Sequence, residues 1–234
     1  MDFSLSRQER LARQISLIGA QADDRLARSS VLIFGAGGVG GAVIEAVARA
    51  GVGRITVVDF DSFAPSNLNR QLLCAVHNIG HDKAQEAADR IRAVSPDCDA
   101  RAVHAFVTAE NTAQIISEAA PDFICDAVDN VTAKIQIIEY AVSHNIPVIS
   151  SMGTGNKLDP FAFRIAPIET TSVCPLARVM RRELKLRGIS GVPVLFSTEQ
   201  PQHTNARTPA SISYVPTCAG FMIGGYIIRR LAQI

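Results

Sequence analysis

The chain lacks any paired-cysteine motif. Its five cysteines, at 74, 98, 125, 174 and 218, form no C-x-x-C pair, which argues against a structural zinc site and against a disulfide framework. A reduced, cytoplasmic setting fits that pattern. Nor is there an excess of one charge: 23 lysines and arginines against 22 aspartates and glutamates leave a formal net charge of +1. Affinity for nucleic acid or an anionic membrane must therefore come from a local patch. The stretch from Met1 to Arg10 lacks the basic-then-apolar order of a signal peptide. No apolar run reaches the roughly 20 residues of a bilayer span. The longest, about Ile212 to Ile228, is interrupted by Pro216 and followed by Arg229-Arg230, and it reads as a buried closing helix. No repeat or low-complexity tract divides the chain, so residues 1–234, with 47% hydrophobic content, are expected to form one domain with a full core.

What is present is organised around Val31-Leu32-Ile33-Phe34-Gly35-Ala36-Gly37-Gly38-Val39-Gly40-Gly41, followed by Ala42 to Ala50. An apolar run too short for a helix, breaking into glycines and then into helix-forming sequence, reads as buried strand, tight turn and helix. Gly35, Gly37 and Gly40 match G-x-G-x-x-G, in which missing side chains let backbone N–H groups and a helix N-terminus approach a phosphate. The same glycines also suit close helix–strand packing.

Further linked signals follow. Arg54 to Asp59 reads as the next strand, and Asp59 ends it roughly 20 residues after the glycines, where such folds place an acid on the ribose hydroxyls. Ser66-Asn67-Leu68-Asn69-Arg70-Gln71 has no regular period but carries donors suited to a phosphate or a nucleotide edge. Ile79 to Lys83 start a long helix running to about Val94, and Lys83 near its N-terminus, where the macrodipole disfavours a cation, suggests an anion beside it, although a lysine solvated on the surface also fits. Pro121 to Asn130 reads as a buried strand running out into two acids, with Asp129 just past its carboxyl end, on the edge where open α/β sheets bind ligands. A carboxylate there, with phosphates, makes a natural Mg²⁺ set. The β-α-β alternation up to Ser150 predicts a doubly wound, mostly parallel Rossmann-like sheet, after which Phe161 to Pro167 reads as an antiparallel C-terminal addition.

In this combination the sequence resembles the ubiquitin-activating-enzyme-like superfamily of adenylating enzymes. The likeness rests on Arg13-Gln14, Gly35 to Gly40, Asp59-Phe60-Asp61, Ser66 to Gln71, Lys83 and Asp129-Asn130, and covers essentially the whole chain. It implies an ATP site built from Gly35, Gly37, Gly38, Gly40, Asp59, Asp61, Ser66, Asn67, Asn69, Arg70, Lys83 and Asn130. Asp129 would hold Mg²⁺, and Arg13, Arg70, Lys83 and Asp129 would carry the catalysis. It also implies a homodimer in which Arg13 reaches the neighbour's site.

Within that superfamily, Ser151 to Pro160 and Thr171 to Lys185 resemble the tRNA threonylcarbamoyladenosine dehydratase branch, which activates the carboxylate of a modified adenosine with ATP and closes it to a ring. Arg178, Arg181, Arg182 and Lys185 share one helical face and suit tRNA phosphates, although such stripes are also ordinary solvated surface. A monovalent cation near Gly153 to Asp159 and a sulfur-relay partner are open at this level. Cys174 could be covalent, as in activators of small sulfur-carrier proteins, or a small packing residue. That activator is one alternative function. A nicotinamide-dependent oxidoreductase is another, but it leaves Arg70, Lys83 and Asp129 without a role.

Overall fold

The protein, described here by a computed structural model covering residues 6–205 and 208–234, starts with two helices, α1 (Arg7–Ile18) and α2 (Ala20–Arg28). Ser6 caps α1 in a capping box with Glu9. The helical spacing of Leu11, Ile15 and Ile18 predicts a helix over Leu5 to Gly19, whose start at Leu5 lies outside the described residues. Strand β1 (Ser30–Phe34) leads through the glycines into α3 (Gly38–Arg49), and β2 (Arg54–Asp59) follows. Next come α4 (Lys83–Val94), β3 (Asp99–His104), α5 (Thr112–Ala119), β4 (Phe123–Asp126), α6 (Val131–Ser143) and β5 (Val148–Ser151). Helix α5, which the sequence predicts over Glu110 to Ala120, begins two residues later, with Asn111 in the cap position.

The seven strands form one sheet in the order β3-β2-β1-β4-β5-β7-β6, where β6 is Phe163–Pro167 and β7 is Pro193–Ser197. All neighbours are parallel except β6 and β7. The doubly wound fold with an antiparallel C-terminal strand is therefore present, with one correction. The parallel alternation does not stop at Ser150. After β6 the chain crosses over in α7 (Pro175–Leu186) and inserts β7 between β5 and β6, leaving β6 as the edge. Pro167 and the exposed Arg164 blunt that edge.

The apolar run near the C-terminus becomes α8 (Tyr214–Ala232), a closing helix as expected. It lies against α3, and the contact needs glycine: a Cβ on Gly220 would sit 2.2 Å from the Val39 carbonyl, and one on Gly224 2.5 Å from the Ala46 methyl. Each face of the sheet carries its own core. One is built on α2, α3, α4 and α8 with Leu26, Ile44, Val47 and Ile223, the other on α5, α6 and α7 with Ile116, Ile137, Met180 and Leu184. Among the described residues no helix is long and apolar enough to cross a membrane.

Candidate active site

The chain leaves β1, β2, β3 and β4 at one edge of the sheet, and the reversal of winding between β1 and β4 opens a crevice there. It is a cleft of about 690 Å³, lined by Gly35, Gly37, Gly38, Asp59, Asp61, Asn67, Arg70, Lys83, Asp129 and Asn130 among others. Ser66 and Asn69 stand outside that lining.

The glycines divide their work. Gly35 takes φ +93°, and a Cβ there would sit 2.8 Å from the Ala127 carbonyl oxygen. Gly40 does not face the cleft: a Cβ would fall 1.8 Å from the Gly35 carbonyl oxygen, so this glycine serves helix–strand packing. Gly37 and Gly38 border the open space at the N-terminus of α3, the position suited to an anion. Asp59 pins this turn to β2, its Oδ2 accepting the Ala36 N–H at 2.6 Å and its Oδ1 the Asp61 N–H at 2.8 Å.

Burial raises the Asp59 pKa above its ordinary value, against the lowering effect of those two N–H groups and of Lys83. Folding thus tightens proton binding at Asp59. Its contribution favours the fold below the unfolded-state pKa and is lost as pH rises through the folded-state value. Relative to Asp59→Asn, the wild-type melting temperature should fall as pH rises above the ordinary aspartate pKa of about 4. A difference that does not vary with pH would show that burial leaves this carboxylate unperturbed.

Lys83 is buried, and its Nζ lies 2.9 Å from Asp61 Oδ2, so the anion predicted beside it is in this state a protein carboxylate. Arg70 donates through Nη1 to the Ser66 carbonyl at 2.7 Å and to Asn69 Oδ1 at 3.0 Å. Asn67 spends its side-chain oxygen on the Ala64 N–H, and Asn69 donates to the Ser211 carbonyl. Ser66, Asn67 and Asn69 therefore shape the loop that presents Arg70. Asn130 caps α6 through the Ala133 N–H. Asp129 is exposed into the cleft and enters no hydrogen bond or ion pair among the described residues.

The donor chemistry fits Mg²⁺. Asp59 is engaged by backbone and Asp61 by Lys83, which leaves Asp129 as a hard oxygen donor beside the phosphate turn. No group of three or more His, Cys, Asp or Glu that could hold a metal occurs among the described residues. Mg²⁺ typically needs only one or two carboxylates when phosphates complete its shell. In the stretch from Gly153 to Asp159, Asn156 Oδ1 accepts the Ala210 N–H and Asp159 caps the Phe161 N–H, so the side chains there serve the loop.

Two features of the cleft, an aromatic pair and a rim segment, escape sequence reasoning, and a third residue takes an unexpected place. Phe60 and Phe106 meet edge to face, with centroids 4.8 Å apart, each about half exposed on the cleft wall, an apolar surface for a nucleobase. Gln71, a sequence candidate, is buried in the lining with its Oε1 unpaired. Segment 208–216, including Thr208, Pro209, Ser211 and Pro216, forms part of the rim. No local pattern marks it, because it reaches the cleft only through the placement of α8.

Arg13 is not brought to this cleft. Gln14 beside it donates to the Ala50 carbonyl, and Arg7 to the Gly51 carbonyl, so α1 sits at the C-terminal end of α3. That end is about 18 Å from the glycine turn by helix rise. Cys174 is 2% exposed and ends a turn in which Val173 has φ +63°, an uncommon conformation for a β-branched residue. It lies behind the cleft wall, its Sγ 3.7 Å from where a Cβ on Gly153 would be. On α7, Arg178, Arg182 and Lys185 are exposed. Arg181 is tied to the Thr171 carbonyl and hydroxyl at 2.6 and 2.7 Å. The helix begins at the cleft, where Leu176 forms part of the wall.

An open sheet in this order, with a glycine turn at a helix N-terminus, an acid ending β2, and Arg70, Lys83 and Asp129 lining one cleft, has the form of a nucleotide-binding α/β protein. The chain belongs to the ThiF family, which it matches over residues 11–234. It is 36% identical over 234 residues to a Bacillus subtilis (strain 168) protein named tRNA threonylcarbamoyladenosine dehydratase, covering 92% of each chain. It is 37% identical over 199 residues to tRNA threonylcarbamoyladenosine dehydratase 2 of Saccharomyces cerevisiae, covering 84% of this chain but only 44% of that longer protein. Among solved structures it resembles E. coli tRNA N6-threonylcarbamoyladenosine dehydratase in complex with AMP, with a TM-score of 0.92 and 30% identity over 100% of this chain and 98% of the other. The same protein in complex with ATP matches equally.

Proposed function

We infer that the chain is an ATP-dependent tRNA threonylcarbamoyladenosine dehydratase. The observation that carries this reading is a phosphate-directed cleft in a chain similar, over nearly its full length, to dehydratases, one of them solved with AMP and with ATP. The carboxylate of threonylcarbamoyladenosine attacks the α-phosphorus of ATP, and pyrophosphate leaves. The activated acyl group is then closed intramolecularly, and AMP carries away the carboxylate oxygen, so the nucleoside loses the elements of water.

The residues divide this chemistry between them. The N–H groups at Gly37 and Gly38 and the N-terminus of α3 bind phosphate, and Asp59 orients the ribose. Arg70 and Lys83 oppose the charge that grows as pyrophosphate departs. Asp129 would hold Mg²⁺, which when bound neutralises phosphate oxygens. The nucleophile of ring closure belongs to the substrate, so no protein thiol is required, and the burial of Cys174 suits packing. Incubation with ATP and tRNA bearing the modification should lower the nucleoside mass by one water. An unchanged mass with folded protein refutes the reading.

The sulfur-carrier activator remains the competing activity. It predicts pyrophosphate exchange that needs a carrier protein and no tRNA, whereas the dehydratase predicts dependence on modified tRNA. For the tRNA surface, the exposure of Arg178, Arg182 and Lys185 selects these three over Arg181, whose removal would also break its bonds to Thr171. Replacing all three by alanine should weaken tRNA binding and reduce the slope of log K against log salt by roughly 2. ATP affinity should stay unchanged. An unaltered slope would move the RNA surface elsewhere.

A further inference from the structure

The most deeply buried charges in the molecule lie directly behind the cleft and have no part in the chemistry described so far. Lys134, Asp126 and Ser150 are each 0% exposed. Lys134 Nζ donates to Asp126 Oδ2 at 3.0 Å, to Ser150 Oγ at 3.2 Å and to the Ser151 carbonyl at 2.7 Å, so its three protons have three acceptors. Ser150 Oγ donates in turn to Asp126 Oδ2 at 2.5 Å, and Asp126 Oδ1 accepts the Val128 N–H at 3.2 Å.

Desolvating such a pair is costly, and well-packed apolar side chains of similar volume often give equal or greater stability. What apolar groups cannot give is direction. This network joins three walls of the cleft. Asp126 bends the turn 127–129 that carries Asp129, and the Ala127 carbonyl of that turn lies against Gly35 of the phosphate turn. Ser150 and Ser151 end β5 and lead into Met152 to Gly155 on the opposite wall. Lys134 itself is the fourth residue of α6, the helix that starts immediately after Asn130.

We propose that Lys134 is a positioning residue that sets the register between the Asp129 turn, the glycine turn and the Ser151–Gly155 wall, and so the geometry in which nucleotide and carboxylate meet. The proposal rests on the dehydratase reading for the reaction it serves, but its first test does not. Hydrogen exchange of the protein without ligands should show amides of 127–130 and 152–155 opening at least tenfold faster in Lys134→Met/Asp126→Asn, a variant that leaves no unpaired charge in the core. AMP affinity measured by calorimetry without added metal should fall about fivefold. The turnover of modified tRNA should drop at least tenfold at saturating ATP, with tRNA affinity within twofold of wild type. Lys134→Arg, which keeps the charge and its donors, should recover most of the turnover.

Ser150→Ala, which removes a single hydroxyl, gives the same readouts in milder form, about threefold, should the double variant fail to fold. Wild-type exchange, AMP affinity and turnover in whichever of these variants folds would overturn the proposal. A wild-type protein with no turnover of modified tRNA would instead refute the dehydratase reading, while the exchange and AMP measurements still judge Lys134.

Discussion

Replacing Asp129 with alanine should cut ATP–pyrophosphate exchange by about a thousandfold, equivalent to about 4 kcal/mol of lost transition-state stabilisation. The size follows from the arrangement of charge. Asp59 is held by two backbone N–H groups and Asp61 by Lys83, so no second carboxylate beside the phosphate turn stands ready to take over. Asp129 is exposed and makes no hydrogen bond or ion pair among the described residues, so its removal should change stability by no more than about 0.5 kcal/mol. Loss of exchange with an unchanged melting temperature and nearly unchanged AMP affinity in metal-free buffer is the expected combination. Retention of more than a tenth of the activity would take the metal-binding role away from this residue.

Arg13→Ala should be almost as damaging, roughly a hundredfold or more, although Arg13 lies at the far end of α3 from its own cleft. The explanation offered is a homodimer in which each arginine serves the neighbouring site, a shared arrangement that a two-fold interface permits. Complementation distinguishes this from a local effect. Inactive Arg13→Ala and Asp129→Ala chains, mixed equally and allowed to exchange subunits, should regain about a quarter of wild-type activity, because half the dimers are mixed and each has one intact site. If Arg13 acts within its own chain, or only supports α1, the mixture stays inactive. A monomeric protein in solution at working concentration would refute the arrangement outright.

How far the site was legible in sequence depends on how local each signal is. Gly35, Asp59, Lys83 and Asp129 could be read because each stands at the end of a strand or the start of a helix, and a parallel sheet gathers those ends at one edge. Individual roles were less legible. Gly40 matches the phosphate motif but serves packing, since only coordinates show the Gly35 carbonyl beneath it. Arg181 looks equivalent to Arg178 and Arg182 by helical spacing, yet Thr171 from outside the helix holds it. Lys134 gives no local sign of its role. On an otherwise apolar stretch a lysine reads as a solvent-facing charge, and its partners Asp126 and Ser150 lie 8 and 16 residues away on two strands.

The amino-acid sequence alone determined the β-α-β alternation, the glycine turn, the acid that ends β2 and the family to which they belong. These arise from short-range periodicity, backbone sterics and the chemistry of residues within a few positions of one another. The tertiary structure decided that β7 slips between β5 and β6, that segment 208–216 borders the cleft, that α1 with Arg13 docks at the far end of α3 from it and that a buried lysine ties its walls together. Those outcomes depend on strand pairing and helix docking between residues far apart in the chain, where packing and the need to satisfy every buried polar group select one arrangement among many that the local pattern permits.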